Sequence, residues 1–142
     1  MSYRIQPMSV EDYEDAYALW KETPGIGLSA SDSPEAIAEF LGRNPGSSFV
    51  AREAGCLVGT ILCGHDGRRG YIHHLVVASS ARRRGISSAL VDRCLASLDE
   101  CGIIKCHLFV YANNKAGIAF WQQTGWTERI ELAMMSKMTR EP

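Results

Sequence analysis

The chain has 142 residues, 46% of them hydrophobic and 22% charged, which is the size and composition of one globular domain. The 15 basic residues against 16 acidic residues leave a formal net charge of −1, which argues against binding to nucleic acid or to an anionic membrane through overall charge. The first residues contain no apolar signal-peptide core, and no apolar run reaches the length of a membrane span. We therefore expect one cytoplasmic domain over residues 1–142.

The cysteines are five in number and show neither a C-x-x-C pair nor a spacing typical of a zinc site. They are Cys56, Cys63, Cys94, Cys101 and Cys106. This pattern favours free, mostly buried thiols in a reducing compartment. We therefore expect no disulfide and no bound metal.

The first third of the chain is predicted to form a strand, a helix, a loop and a second helix, at residues 3–6, 9–21, 23–33 and 33–43. Ser9 is a typical helix N-cap, and Asp12 stands three residues later, as in a capping box. Ser33 and Pro34 are the residue types preferred at the cap and the first position of a helix. The loop between the two helices is rich in Gly, Ser and Pro, which favours a mobile segment.

The rest of the chain alternates strands with helices. Strands are predicted at residues 48–53, 57–64, 71–78, 105–111 and 130–138, and helices at residues 86–101 and 114–124. Residues 54–56 join two antiparallel strands, and Gly102 is a helix-stop signal. Hairpins combined with one strand–helix–strand crossover predict an α/β domain whose mixed sheet has helices on its faces.

A basic turn with a glycine lies between the strand at 71–78 and the helix at 86–101. Three consecutive arginines precede Gly85, and Ser87 and Ser88 follow it in the first turn of the helix. The first N–H groups of a helix have no partner within the helix, and the helix dipole adds positive charge there. The pattern therefore predicts a pyrophosphate site, and a solvated basic turn is the alternative.

The same turn resembles motif A of the GNAT acetyltransferases, which reads [RQ]-x-x-G-x-[GA]. Arg82 occupies the first position and Gly85 the central glycine. Ser87 stands where glycine or alanine is usual, and it is small enough to fit.

A second segment, residues 114–126, is similar to the N-x-x-A-x-x-x-Y-x-x-x-G-F element of the same family. Asn114 and Gly125 match, whereas Gly117 replaces the alanine and Trp126 the final aromatic residue. Trp121 stands where the family has a tyrosine. The alternative for this segment alone is a plain amphipathic helix.

The resemblance implies the GNAT fold, a mostly antiparallel mixed sheet flanked by helices on both faces. It also implies acetyl-CoA as cosubstrate, with the pantetheine arm on the strand end and the pyrophosphate on the basic turn. The residues implied in binding are Leu75, Val76, Val77, Arg82, Arg83, Arg84, Gly85, Ile86, Ser87, Ser88, Asn114 and Trp121.

Acetyl transfer to an amine needs a base for the ammonium group, a donor for the developing oxyanion and a proton for the leaving thiolate. His73 and His74 are the candidate bases, and because neighbouring strand residues face opposite sides, at most one of them faces the site. The resemblance favours His73, with a water chain as the alternative. Tyr111 is the candidate acid, since the indole of Trp121 does not titrate usefully.

The sequence thus predicts an N-acetyltransferase that acts by direct attack of a primary amine on acetyl-CoA. The acceptor is an amine-bearing small molecule, a peptide or protein N-terminus, or a lysine, and by resemblance it meets the first two helices and the loop between them. Asp32 in that loop would favour a cationic acceptor. Cys106 and His107 face opposite sides of a strand, which argues against a thiol nucleophile.

Two further possibilities stay open. The first is a catalytically weak, CoA-binding regulatory or interaction module, for which Trp121 is the main support. The second is a homodimer formed through the methionines at residues 134–138, although packing in the core is the simpler expectation for them. A nucleic-acid module built on the three arginines is disfavoured by the neutral overall charge.

Overall fold

The computed structural model describes residues 2–141. It divides the chain into two compact units, Met1–Phe109 and Val110–Pro142. The first unit carries the sheet, and the second carries one helix. Within residues 2–141, no helix is both long enough and apolar enough to cross a membrane.

Within residues 2–109, the first unit contains five strands and three α-helices. In chain order they are β1 (Arg4–Pro7), α1 (Tyr13–Lys21), α2 (Pro34–Arg43), β2 (Phe49–Glu53), β3 (Cys56–His65), β4 (Gly70–Val77), α3 (Ile86–Glu100) and β5 (Cys106–Leu108). Short 3-10 turns lie at Val10–Asp12, Ala30–Asp32 and Ser79–Ala81. The strand order in the sheet is β1-β2-β3-β4-β5, antiparallel except for the parallel pair β4–β5. The predicted mixed, mostly antiparallel sheet is confirmed.

Helices cover both faces of the sheet, as two neighbouring residues of β3 demonstrate. Trp20 of α1 donates a hydrogen bond from its indole Nε1 to Thr60 Oγ1 at 2.9 Å. A Cβ placed on Gly59 would lie only 3.3 Å from Leu90 of α3. Because successive strand residues point to opposite faces, α1 and α3 lie on opposite sides of the sheet.

The core on the α1 side is built around Trp20, which is 1% exposed. Its buried neighbours come from α1, α2, the sheet and the residue after β1, and they are Met8, Ala16, Leu19, Ile37, Val50, Leu62 and Val76. On the other side, α3 buries Ile86, Leu90, Cys94 and Leu98, which recur every four residues along one stripe. Each such side chain contributes roughly 1.5–3 kcal/mol through burial, so α3 is held by its apolar stripe.

Of the two predicted helix starts, that of α2 is confirmed, whereas Ser9 precedes the 3-10 turn Val10–Asp12 and α1 begins at Tyr13. The Asp12 carboxylate accepts a hydrogen bond from the Ser9 N–H at 2.9 Å, as the capping box requires. Ser33 Oγ accepts from the Ala36 N–H at 3.1 Å, and Pro34 occupies the first position of α2. Local side-chain contacts therefore mark the start of the 3-10 turn before α1 and the start of α2.

The C-terminal strand predictions are wrong in part. The predicted strand at 105–111 is shortened to Cys106–Leu108, and residues 130–138 form no strand. A strand requires a neighbour that supplies ladder hydrogen bonds, and in residues 2–141 none of the five strands pairs with this segment. Met134, Met135 and Met138, for which core packing was the simpler expectation, are exposed, and so are Ile130 and Leu132.

The five cysteines are free thiols, but fewer are buried than predicted. Cys63 and Cys94 are buried, and Cys106 is half-buried. Cys56 and Cys101 are exposed, because they lie at the start of β3 and directly after α3. The hydrophobic core thus holds two thiols rather than most of them.

Candidate functional site

The second half of β4 extends beyond its neighbour β5. The parallel register pairs Gly70 with Cys106, Tyr71 with His107 and Ile72 with Leu108, where it ends. β4 continues to Val77, held on its other edge by β3. The main chain at Leu75, Val76 and Val77 therefore has an edge that β5 does not pair, which is where an extended ligand arm can hydrogen-bond to a strand.

The basic turn follows directly after this free edge. The 3-10 turn Ser79–Ala81 leads into Arg82, whose Nε donates to the Val77 carbonyl oxygen at 3.2 Å. Arg83 is exposed and has a left-handed φ of +62°, which is uncommon for a residue with a Cβ. The turn is therefore fixed back onto the strand end by Arg82 while Arg83 faces solvent.

Gly85 is the N-cap of α3 and has a φ of +78°. A Cβ built on Gly85 meets no atom of the described residues within 4 Å, so the main chain is open to a ligand here. The first intrahelical bond runs from the Ala89 N–H to the Gly85 carbonyl at 3.0 Å. The N–H groups of Ile86, Ser87 and Ser88 precede it, at the positive end of the helix dipole. Such an arrangement is chemically able to bind an anion.

The third arginine of the turn, Arg84, has a carboxylate partner in the fold. Its guanidinium donates two hydrogen bonds to Glu53 of β2, at 2.9 and 2.7 Å, whereas the resemblance implies a contact with the pyrophosphate. It also lies 5.7 Å from the centre of the Tyr3 ring. The hydrogen bonds from Arg84 lower the pKa of the Glu53 carboxyl. Arg84 thus braces the turn against the β2–β3 hairpin, and no short sequence motif indicates Glu53 as its partner.

The two candidate histidines lie on the same side of the sheet, contrary to the prediction that they face opposite sides. The reason is a register shift: Leu62 pairs with His73 and Thr60 with Val76, so β4 has an extra residue opposite Ile61. His74 at this bulge has a left-handed φ of +49°. The His73 ring contacts Phe40 of α2 and the His74 ring contacts Trp20 of α1.

His74 is half-buried and is held by a chain of hydrogen bonds. Its Nε2 lies 2.7 Å from Asp32 Oδ1. Its carbonyl oxygen accepts a bond from Thr60 Oγ1 at 2.9 Å, and Thr60 in turn accepts from the Trp20 indole. Asp32 was predicted to lie in a mobile loop, where its charge would favour a cationic acceptor. It is instead buried and paired with His74, because the end of the loop forms the 3-10 turn Ala30–Asp32.

His73 is exposed at the end of the β4–β5 pairing, and of the two histidines it is the more open to an incoming acceptor. Partial burial of its ring lowers the pKa of His73 from its ordinary value of 6.5. His74 lowers this pKa further, whereas the Asp32 carboxylate raises it. An imidazole with a lowered pKa is neutral at pH 7 and is therefore able to accept a proton.

The remaining predicted site residues belong to the second compact unit. Tyr111 is exposed, and its carbonyl accepts from the Asn114 N–H at 2.9 Å. Asn114 caps α4 (Lys115–Gln123) by accepting from the Gly117 N–H at 2.9 Å. A Cβ at Gly117 would lie 2.6 Å from the Asn114 side chain, so glycine at this family position makes room for the cap. Trp121 packs against the rings of Phe120 and Trp126.

Other chemistry finds little support in the described residues. Burial raises the pKa of the Cys106 thiol to about 12, which disfavours the thiolate that a nucleophile requires. Within residues 2–141, no three His, Cys, Asp or Glu side chains lie together as metal ligands would. The groove between the starts of α1 and α2 contains none of the predicted site residues; it is lined by Val10, Glu11, Tyr13, Glu14, Pro34, Ile37 and Ala38.

Comparison with known proteins places this geometry in context. The sequence pattern of the acetyltransferase (GNAT) family matches residues 13–126. An acetyltransferase of Sodalis glossinidius (strain morsitans) is 31% identical over 127 residues, which are 89% of this chain and 89% of that protein.

Two solved structures share the fold. Ard1 from Thermoplasma volcanium superposes with a TM-score of 0.79 at 24% identity, covering 89% of this chain and 84% of that one. The PaiA N-acetyltransferase from Thermoplasma acidophilum, solved in complex with coenzyme A, gives a TM-score of 0.77 at 20% identity. That alignment covers 89% of this chain and 91% of PaiA.

Proposed function

The chain belongs to the acetyltransferase (GNAT) family, and from this premise we propose that it transfers the acetyl group of acetyl-CoA to a primary amine. The observation that carries the proposal is the unpaired edge of β4 running directly into the open N-terminus of α3. An extended arm followed by a pyrophosphate is the shape of ligand that such a strand–turn–helix segment fits. PaiA, which shares this fold, was solved with coenzyme A.

Binding of acetyl-CoA is assigned to the first unit in two parts. The main chain of Leu75, Val76 and Val77 would hold the pantetheine arm, because β5 leaves that edge of β4 unpaired. The N–H groups of residues 86–88, the exposed Arg83 and Arg82 would hold the pyrophosphate. The open space at Gly85 fits this role, since a side chain there would separate the phosphates from the main chain.

Acetyl-CoA supplies the acetyl group as an activated thioester. His73 is the proposed base: it accepts a proton from the acceptor ammonium, so that the amine nitrogen has a free lone pair. A main-chain N–H near Leu75 or Val76 would donate to the carbonyl oxygen as negative charge develops there. The new C–N bond forms as the C–S bond breaks. The attacking nitrogen gives up its second proton, which a water carries to the leaving thiolate, while His73 returns its proton to solvent.

The acceptor is proposed as an amine-bearing small molecule, a peptide or protein N-terminus, or a lysine. His73 is exposed beside α2, which leaves room for any of these. The free thiols suit a reducing compartment, so we place the reaction in the cytoplasm.

Calorimetric titration with acetyl-CoA and, separately, with adenosine 3′,5′-bisphosphate tests the cofactor half of the proposal. We expect acetyl-CoA to bind in the micromolar range. A screen of amines for acceptor-dependent CoA release then tests the transfer half. If neither acetyl-CoA nor adenosine 3′,5′-bisphosphate binds, the proposal loses its basis.

A CoA-binding module without turnover is the second candidate, and Trp121 favours it. Its ring packs against Phe120 and Trp126, and it places an indole where the family has a tyrosine. Binding of acetyl-CoA without CoA release in the presence of any amine would support this function over transfer.

A further inference from the structure

Asp32 and His74 form a buried pair directly beside His73. His74 Nε2 lies 2.7 Å from Asp32 Oδ1, and the two side chains are only 16% and 8% exposed. A carboxylate can only accept hydrogen bonds, so the proton of this bond is on Nε2 of the imidazole. The pair spans 42 positions in sequence and joins the end of the loop between α1 and α2 to the bulge of β4.

The Asp32 carboxylate is fixed by other contacts. Its Oδ2 accepts from the Ser29 N–H at 3.0 Å, within the 3-10 turn that ends the loop. The main-chain carbonyl oxygen of Asp32 accepts a hydrogen bond from the Tyr13 hydroxyl at 2.6 Å, which connects Asp32 to α1. The carboxylate therefore has a set orientation toward His74.

His74 is fixed on its other sides. The Trp20 ring lies edge-on to the imidazole with the ring centres 4.7 Å apart, and Thr60 donates to its carbonyl oxygen. Its left-handed backbone is sparsely populated by residues with a Cβ, so it persists only where the surroundings determine it. The same backbone conformation turns His74 to the side of the sheet on which His73 lies.

His73 consequently has two ionisable groups near it on that side. They are His74 from its own strand and Asp32 from the 3-10 turn, and they act on the pKa of His73 in opposite directions. Its ring contact with α2 is with the uncharged Phe40, and its register partner on β3 is the uncharged Leu62.

We propose that Asp32 and His74 are a positioning pair that holds the bulge of β4 and acts electrostatically on His73. The proposal rests on the proposed function, in which His73 is the base. Asp32 of the pair lies at the end of the loop between α1 and α2, and His74 lies on β4 before the basic turn.

Two substitutions with opposite expected effects test this role. Asp32→Asn keeps the shape and a hydrogen-bond acceptor for His74 but removes the charge that raises the pKa of His73, so that pKa should fall. His74→Asn tolerates the left-handed backbone and removes the imidazole that lowers the pKa, so that pKa should rise. Glu39→Gln is the matched control, because Glu39 is an exposed acid on α2 next to Phe40.

The measurement is an NMR titration of the His73 ring, assigned with a His73→Gln variant, together with the pH dependence of kcat/KM. We expect the His73 titration and the acid limb of the rate profile to move to lower pH in Asp32→Asn and to higher pH in His74→Asn. Glu39→Gln should leave both in place. Acetyl-CoA affinity should stay within about twofold of wild type in all three variants, which also shows that they are folded.

If both variants melt at a lower temperature or react more slowly while the His73 titration stays in place, the pair has a structural role only. That result would overturn the proposal. Shifts in the same direction would overturn it as well. If His74→Asn does not fold, the direction of the Asp32→Asn shift decides. The NMR titration requires no turnover, so failure of the wild type to acetylate any amine would reject the proposed function separately.

Discussion

Arg84 and Glu53 form a two-bond ion pair, Nη1 to Oε1 at 2.9 Å and Nη2 to Oε2 at 2.7 Å, across 31 positions of sequence. The planar guanidinium matches a carboxylate in this parallel geometry. One end of the pair lies in the basic turn and the other at the end of β2. The pair therefore fixes the turn relative to the β2–β3 hairpin before any ligand binds.

The first prediction concerns this pair and pH. Hydrogen bonds from Arg84 hold the pKa of Glu53 below its ordinary value of 4.5. A lowered pKa means that the contribution to stability is present above pH 4.5 and is lost as the pH falls through the lower folded-state value. Glu53→Gln should therefore melt below wild type at neutral pH, and the difference should shrink on acidification. Thermal unfolding from pH 7 to pH 3 measures it, and a constant difference would contradict the prediction.

The second prediction concerns the backbone at Gly85. With a φ of +78°, alanine at this position should destabilise the fold by about 1–2 kcal/mol. It should also weaken acetyl-CoA binding, because a methyl group would occupy the open approach to the main chain. Gly42→Ala is the control: it lies within α2, has open space around it, and should stabilise the fold by roughly 0.5–1 kcal/mol. Denaturant unfolding and calorimetry measure the two effects, and wild-type acetyl-CoA affinity in Gly85→Ala would argue against the site.

The third prediction concerns phosphate binding by Arg82. Arg82→Ala should weaken acetyl-CoA binding by about 1.5–3 kcal/mol, which corresponds to roughly 10- to 150-fold, because a charge-assisted hydrogen bond is lost. Arg68→Ala removes an exposed arginine from the β3–β4 turn and should leave the affinity unchanged. Titrations at two salt concentrations should show a weaker salt dependence for Arg82→Ala than for wild type. If Arg82→Ala and Arg68→Ala bind acetyl-CoA equally well, the turn is a solvated basic segment and does not bind the pyrophosphate through Arg82.

The fourth prediction concerns His73 as the base. Because burial lowers its pKa from 6.5, the acid limb of kcat/KM in wild type should lie below pH 6.5. His73→Ala should reduce kcat/KM by about 10²- to 10⁴-fold at neutral pH and leave acetyl-CoA affinity intact. His65→Ala, at the end of β3, serves as the control histidine. An unaltered pH–rate profile in His73→Ala would assign the proton transfer to a water chain.

The sequence predicts those parts of the site that depend on neighbours in the chain. The Ser33 cap, the glycine before α3 and the strand–turn–helix order around Arg82 all follow from local residue preferences, and the structure has each of them. The resemblance to motif A adds the expected ligand to this local pattern.

The parts that the sequence does not predict depend on residues far apart in the chain. Side chains of successive strand residues normally point to opposite faces, which would place His73 and His74 on opposite sides of the sheet. The bulge opposite Ile61 brings both histidines to the same side. Asp32 has an ordinary loop composition around it, and only the folded chain brings it to His74. Residues 130–138 are rich in apolar side chains, as a strand often is, but such a composition does not supply the neighbouring strand that a ladder requires.

The difference between exposed and buried thiols allows cysteine reactivity to report on the unfolding of the first unit. Cys56 and Cys101 are exposed, whereas Cys63 and Cys94 are buried between the sheet and α3. An alkylating reagent should thus label the first two cysteines quickly and reach the other two only when α3 separates from the sheet. The slow phase of alkylation, followed by mass spectrometry, would measure how often the sheet opens, without any introduced probe.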